Sequence, residues 1–154
     1  MGKREEKASE LFTSGYNCAQ SVVLSFADLV DADEAVLSRI SCSFGGGMGR
    51  LREVCGAVSG MCMVAGLLRG YEGAETGSVK AEHYTLIQSL AKEFEAQNGA
   101  IVCRELLGLR QKHDAPTPEQ RTEQYYKTRP CEKLVGSAAE ILAQYLAVDT
   151  EENR

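Results

Sequence analysis

Apolar residues recur three and four positions apart along most of this sequence, and this period constrains the fold more than any other feature. Such spacing places apolar side chains on one face of an α-helix, whereas a half-buried strand alternates apolar and polar residues. The clearest stripe follows Asn17 and comprises Ala19, Val22, Val23, Phe26, Leu29 and Val30. We find no convincing strand alternation and no internal repeat. The sequence therefore predicts an all-α fold, a multi-helix bundle.

The 154 residues are expected to form a single helical domain over residues 1–154, because a chain of this length buries one core. The core is expected over about residues 8–147, with polar termini on either side. We expect the helices around Phe26, Met63, Ile87 and Ile141 to share that core.

Capping residues set the expected helix boundaries. Asn17 with Gln20 three residues later is typical of a capping box. A major helix is predicted over Glu53–Leu68, and Thr117 followed by Pro118 predicts another helix start. The remaining expected features are a glycine-rich loop at 44–50, a loop at 73–78, a polar flexible loop at 110–118 and a last helix after Pro130.

The charge balance and the N-terminus limit the partners and the location of the chain. Seventeen Lys and Arg oppose 22 Asp and Glu, a net charge of -5. Nucleic acid is not an expected partner, because phosphate binding needs a positive surface. The first residues lack the apolar segment of a signal peptide. The longest uncharged stretch, Val54–Leu68, is too short to span a bilayer. We expect a cytoplasmic protein that is not embedded in a membrane.

Six cysteines are the main chemical signal, and none of them forms a C-x-x-C pair. This argues against a zinc ribbon, a thioredoxin-type motif and the common bacterial ferredoxin run, and it leaves open a site assembled from separate helices. In a reducing cytoplasm, cysteines serve as thiols or metal ligands rather than as structural disulfides. Four of them lie at or near predicted helix N-termini, where unpaired N–H groups and the helix dipole favour a thiolate. These candidate catalytic and metal-ligating residues are Cys18, Cys55, Cys103 and Cys131.

Spacing alone leaves open whether these four share a site or are scattered thiols of the core. Nearby arginines at positions 50, 52, 104 and 129 could add a positive field to three of them. The other two cysteines are less informative. Cys62 lies between Met61 and Met63 and is predicted to be a buried, inert thiol. Cys42 either faces the glycine loop or fills space.

Two glycines follow Cys55 in the segment Cys55-Gly56-Ala57-Val58-Ser59-Gly60. Each glycine inside a helix costs about 1 kcal/mol relative to alanine. Either a neighbouring helix packed at backbone distance or a bulky inorganic group held against Cys55 would offset that cost. Gly56 and Gly60 are therefore candidate cofactor-binding positions.

With these cysteines and this glycine motif, the sequence resembles a known family, the redox-active proteins named for the C_GCAxxG_C_C cysteine pattern. The matching segments are Gly15–Gln20, Phe44–Gly49 and Cys55–Gly60, followed by Cys103 and Cys131. The resemblance spans about residues 10–146. The chain fits the CGAxxG form of the motif and departs from a literal GCAxxG.

The resemblance implies a redox role for the same four cysteines, either as iron–sulfur ligands or as a thiol/disulfide couple in electron transfer. It also relates the chain to a domain of split-Soret cytochrome c, which carries an iron–sulfur centre and haem. Covalent haem attachment is excluded here, because the sequence has no C-x-x-C-H. The placement of family members beside transporter genes implies an association with a membrane transporter.

Two other hypotheses remain open at this stage. One is a non-catalytic metal-binding or adaptor module in which four cysteines hold zinc or staple helices together. The other is a helical interaction protein with buried thiols. The sequence leaves undetermined whether the chain is an enzyme, which redox partner it has and whether it forms a homodimer.

Overall fold

The computed structural model describes residues 2–74 and 77–149, and within these residues the secondary structure is helical. Pairing between extended segments there is limited to an isolated antiparallel bridge joining Val54 and Val102. The helices are α1 (Lys3–Thr13), α2 (Cys18–Leu24), α3 (Glu34–Ser41), α4 (Gly45–Met48), α5 (Gly56–Arg69), α6 (Gly77–Asn98), α7 (Cys103–Leu106), α8 (Glu123–Thr128) and α9 (Cys131–Tyr145), with 3₁₀ turns at Ala27–Leu29 and Cys42–Phe44. The predicted all-α fold is confirmed.

Helix α9 lies at the centre of the packing. Helix α1 packs along it, and α2, α5 and α6 also contact it. Its buried side chains follow the helical period that the sequence shows, and they include Leu134, Val135, Ala138, Ile141 and Leu142. Phe26 and Ile141 are buried in the shared core, whereas Met63 and Ile87 are partly buried at its edge. No described helix combines the length and the apolar composition needed to cross a membrane.

Helices α2 and α5 approach each other at backbone distance, and the two glycines of the CGAxxG segment allow this. A Cβ on Gly60 would lie 2.8 Å from the carbonyl oxygen of Ala19. A Cβ on Gly56 would lie 2.8 Å from the carbonyl oxygen of Phe44 and 3.1 Å from the Cβ of Cys18. Helix packing thus accounts for both glycines. A contact between them and a cofactor stays a prediction.

The capping box of α2 forms as predicted. The Asn17 side chain accepts a hydrogen bond from the Gln20 amide at 3.0 Å, and the Gln20 side chain accepts one from the Asn17 amide at 3.1 Å. The side-chain Nδ2 of Asn17 also donates to the carbonyl oxygen of Cys42 at 2.9 Å. The start of α2, which carries Cys18, is therefore tied to the segment before the glycine loop.

Other predicted boundaries differ from the structure. The major helix expected from Glu53 begins at Gly56, with Cys55 as its N-cap. The helix start predicted at Thr117 is wrong, because Thr122 caps α8 by accepting a hydrogen bond from the Tyr125 amide at 3.2 Å. In the intervening segment, Arg121 donates to the carbonyl oxygen of Tyr16 at 2.8 Å and Glu119 pairs with Arg129. Of the loop expected at 73–78, residues 75 and 76 lie outside the described residues, and α6 already begins at Gly77.

Candidate functional site

Four helix starts bring the four predicted cysteines to the wall of one cavity of about 260 Å³. Cys18, Cys103 and Cys131 are the first residues of α2, α7 and α9, and Cys55 is the N-cap of α5. Their predicted positions at helix N-termini are confirmed, and all four line the same cavity. The catalytic or metal-ligating role of the four stays a prediction.

The backbone around the Val54–Val102 bridge holds Cys55 and Cys103 near each other. The Cys55 amide donates to the carbonyl oxygen of Ile101 at 2.8 Å, and the Cys103 amide donates to that of Glu53 at 2.6 Å. The glycine-rich segment expected as a loop at 44–50 contains the short α4, whose helical backbone is interrupted at Gly46 and Gly47. This segment, the glycine loop, packs directly on the pair of segments around the bridge. At Gly47, φ is +69° and a Cβ would lie 2.7 Å from the Cβ of Cys103. Both the conformation and the contact require glycine there.

Cys18 and Cys131 interact through a side-chain hydrogen bond. The hydrogen bond from the Cys18 thiol lowers the pKa of Cys131 to about 7, with Arg129 and the Tyr125 hydroxyl acting in the same direction. The same contact, together with burial, raises the pKa of Cys18 well above its ordinary value. The surroundings of Cys131 therefore favour its thiolate, whereas those of Cys18 favour its thiol.

Burial dominates at the other two cysteines. It raises the pKa of Cys55 to about 12, although the amides of Ala57 and Val58 at the start of α5 favour the thiolate. It also raises the pKa of Cys103, against a hydrogen bond from Arg52 whose Nη1 lies 3.5 Å from the Cys103 sulfur. The expectation of a thiolate at all four helix starts is thus wrong for Cys18, Cys55 and Cys103.

Arginine side chains surround the sulfurs. Arg52 is buried and its Nε donates to Asp114 at 2.8 Å, while Arg50 lies 3.8 Å from the same carboxylate oxygen. Arg129 pairs with Glu119. Of the four arginines that the sequence places near cysteines, Arg104 does not line the cavity, because it turns to Glu53 at 3.2 Å.

Three further side chains at or next to the cavity were missed by the sequence analysis. Tyr125 lines the cavity and its hydroxyl favours the Cys131 thiolate, while burial raises the pKa of Tyr125 itself to about 12. Arg121 lies with its guanidinium carbon 4.1 Å from the centre of the Phe12 ring. Asp114, in the expected flexible loop, ties that loop to the glycine loop, since its amide donates to the carbonyl oxygen of Arg50 at 2.9 Å. Sequence spacing showed the arginines at positions 50, 52, 104 and 129 near cysteines, but it gave no signal for these three side chains.

The remaining two cysteines differ from each other. Cys42 lines the cavity but is exposed, and its thiol donates to the carbonyl oxygen of Arg39 at 3.0 Å. Cys62 is only half-buried, and burial raises its pKa. All six cysteines are free. Among residues 2–74 and 77–149, no three cysteine, histidine or acidic side chains are grouped closely enough to hold a single metal ion.

One comparison with known proteins gives a match. A family model described as "Putative redox-active protein (C_GCAxxG_C_C)" matches residues 16–145. This range includes all four cysteines of the cavity and confirms the resemblance seen in the sequence. No curated protein and no solved structure matches the chain significantly.

Proposed function

The chain belongs to the C_GCAxxG_C_C family, and from this premise we propose that it is a thiol-dependent redox protein in which Cys131 and Cys18 cycle between dithiol and disulfide. The observation that carries the proposal is that these two cysteines begin two helices whose starts line one cavity. The interaction between their side chains supports it, because it favours the Cys131 thiolate. Thiol–disulfide exchange needs an attacking thiolate and a second thiol within reach of it.

The two cysteines have distinct roles in this reaction. The Cys131 thiolate attacks a disulfide R–S–S–R′, forming a mixed disulfide with R–S and releasing R′–S⁻. Cys18 then loses its proton to the released thiolate and attacks the Cys131 sulfur, which forms the Cys18–Cys131 disulfide and releases R–S⁻. Two electrons pass from the cysteine pair to the substrate. A low-molecular-weight thiol returns the pair to the reduced state by the reverse exchange.

The residues around Cys131 support its role as the attacking sulfur. The hydrogen bond from Cys18, the positive charge of Arg129 and the Tyr125 hydroxyl all favour the thiolate over the thiol. A thiolate whose pKa lies near the ambient pH combines a high ionised fraction with good nucleophilicity. Cys55 and Cys103 have raised pKa values and are protonated at neutral pH. They serve in this scheme as reserve thiols that do not start the reaction.

An iron–sulfur centre is the second candidate, because four cysteines from four separate helices face one cavity. Four thiolates are the usual ligand set of such clusters, so the donor chemistry fits. The described residues do not group three ligands around a single ion, so they give no support to a single zinc ion at this place. Cys18, Cys55, Cys103 and Cys131 would hold the cluster, and it would supply one-electron transfer.

Anaerobic purification separates the two candidates. The thiol function predicts colourless protein without iron or acid-labile sulfide, and it predicts a Cys18–Cys131 disulfide by peptide mapping after a stoichiometric disulfide oxidant. Brown protein with iron and sulfide that are lost in Cys55→Ser would instead support the cluster. The matched control is Cys62→Ala, since Cys62 does not line the cavity.

A further inference from the structure

We propose that the cavity selects small anionic disulfides, in which carboxylates flank the S–S bond. The inference rests on the proposed thiol–disulfide function and names its substrate class. It is carried by the charge of the cavity wall, by one arginine without an acidic partner and by the size and depth of the cavity.

The cavity wall has the opposite charge balance to the whole chain. Among the described residues it is lined by four arginines and one glutamate, namely Arg50, Arg52, Arg121, Arg129 and Glu119. The full sequence, in contrast, carries five more acidic than basic side chains. A recess in which one sign of charge predominates concentrates ligands of the other sign, and electrostatic steering of this kind raises association rates about 10- to 1,000-fold.

Arg121 offers a charge that no carboxylate neutralises among the described residues. Its guanidinium donates to the carbonyl oxygens of Phe12 and Tyr16, the latter at 2.8 Å, and lies over the Phe12 ring. Arg50 and Arg52 share a single carboxylate, that of Asp114. Guanidinium groups bind carboxylates well because their planar N–H donors match the two carboxylate oxygens.

The dimensions of the cavity favour a small molecule over a folded protein. Its volume is about 260 Å³, and two of the five cysteines that line it are buried, with Cys55 4% and Cys103 7% exposed. A compact disulfide with two short acidic arms can reach Cys131 within such a space. Such a substrate takes two electrons from the cysteine pair and leaves as two thiol acids, while the Cys18–Cys131 disulfide forms.

A matched series of disulfides tests the inference. Reduced protein is mixed anaerobically, in a single turnover at low ionic strength, with 3,3′-dithiodipropionate, bis(2-hydroxyethyl) disulfide or cystamine. These carry charges of -2, 0 and +2 on similar aliphatic arms, and each rate is divided by that of 2-mercaptoethanol with the same compound. We expect the dianion to react at least about tenfold faster than the dication, with the ratio shrinking as added salt screens the charges.

Arginine variants test which side chains produce the preference for anionic disulfides. Arg121→Gln should reduce the ratio several-fold, and Arg50→Gln serves as a second variant if Arg121→Gln unfolds. Arg69→Gln is the matched control, because Arg69 lines a different cavity and donates to the carbonyl oxygen of Leu146. Suberate, a dicarboxylate of similar length without sulfur, should slow the alkylation of Cys131 in the parent protein and less so in Arg121→Gln.

The outcomes distinguish this inference from the function on which it rests. If all three disulfides react at equal normalised rates, or if cystamine reacts fastest, the anion preference is overturned and the thiol function stands. If none of them oxidises the Cys18–Cys131 pair, both proposals are overturned. If neither Arg121→Gln nor Arg50→Gln changes the ratio of the dianion rate to the dication rate, the anion preference does not come from the arginines of this cavity, and that assignment is overturned.

Discussion

Helices α5 and α9 each carry a cysteine at nearly the same position of their start, yet the pKa values of the two thiols are shifted in opposite directions. Cys55 is the N-cap of α5 and has a pKa raised to about 12, whereas Cys131 is the first residue of α9 and has a pKa lowered to about 7. Both helices are long, and both point their N-termini at one cavity. The difference lies in what surrounds each sulfur.

Around Cys55 the surroundings are apolar, and desolvation disfavours the charged form more than the amides of α5 favour it. Around Cys131, a thiol, a guanidinium and a phenol hydroxyl face the sulfur. A helix dipole contributes only about 0.3–1 kcal/mol at its N-terminus, less than one pKa unit. Burial can shift a pKa by about 3–5 units. Position at a helix start is therefore too weak a signal to identify a reactive cysteine.

The largest expected effect compares the two thiols directly. At pH 7, Cys131 is about half ionised and Cys55 is almost fully protonated, so iodoacetamide should alkylate Cys131 at least about a hundredfold faster. Peptide mass spectrometry over a time course measures both sites in one sample. Cys131→Ser should lose the fast phase, while Cys42→Ser, which removes an exposed thiol, should keep it. Equal rates at positions 55 and 131 would contradict the comparison.

The second largest effect is expected from removing Cys18, which should reduce the difference in pKa between Cys131 and Cys55. The hydrogen bond from Cys18 is the main cause of the low pKa of Cys131. In Cys18→Ala, the midpoint of the alkylation rate against pH should move up from about 7 toward the ordinary thiol value of about 8.5. Since only the thiolate reacts, the rate at pH 7 should fall. A midpoint that stays at about 7 would show that the helix start and Arg129 are sufficient.

Gly60 and Gly66, two glycines of α5, test how strongly the helix that begins after Cys55 depends on close packing against α2. Gly60→Ala places a Cβ 2.8 Å from the Ala19 carbonyl oxygen and 3.0 Å from the Val22 Cβ. We expect a loss of about 1–3 kcal/mol in the free energy of unfolding. Gly66→Ala in the same helix meets nothing within 4 Å and should stabilise by up to about 1 kcal/mol. Urea denaturation measures both, and equal effects would argue against the close α2–α5 contact.

The smallest expected effect concerns Tyr125. Tyr125→Phe keeps the ring and removes the hydroxyl that favours the Cys131 thiolate. The pKa of Cys131 should rise by less than in Cys18→Ala, since the Cys18 hydrogen bond contributes more. The pH dependence of thiolate absorbance near 240 nm reports this shift, with Tyr126→Phe as the neighbouring control. A larger change in Tyr125→Phe than in Cys18→Ala would reverse the order of the two contributions.

Much of the fold was predictable because it depends on local patterns. The apolar stripe of α9, the Asn17–Gln20 capping box and the all-α fold class follow from residue spacing along one helix. The helix start at Thr117 was wrong for a different reason. Its local sequence favours a cap, but Pro116, Pro118 and Glu119 lie at the cavity wall and Glu119 pairs with Arg129.

The candidate site was predictable only in part. The four cysteines could be selected, because helix starts and the CGAxxG segment are written in consecutive residues. Their protonation states could not, since desolvation and the neighbours of a sulfur come from distant segments. Arg52 reaches Cys103 across 51 positions of sequence, and Cys18 meets Cys131 across the bundle. Arg104, adjacent to Cys103 in sequence, turns away to Glu53.

The sequence by itself determined the all-α fold class, most of the helices, the family and the four cysteines at helix starts. These properties depend on residues close together in the chain, where periodicity, capping and motif spacing act directly. Only the tertiary structure decided that the four share a cavity, that Gly56 and Gly60 admit helix α2 and that the surroundings of Cys131 favour its thiolate. The physical reason is that burial, charge and hydrogen bonding at a sulfur are set by whichever side chains folding brings against it.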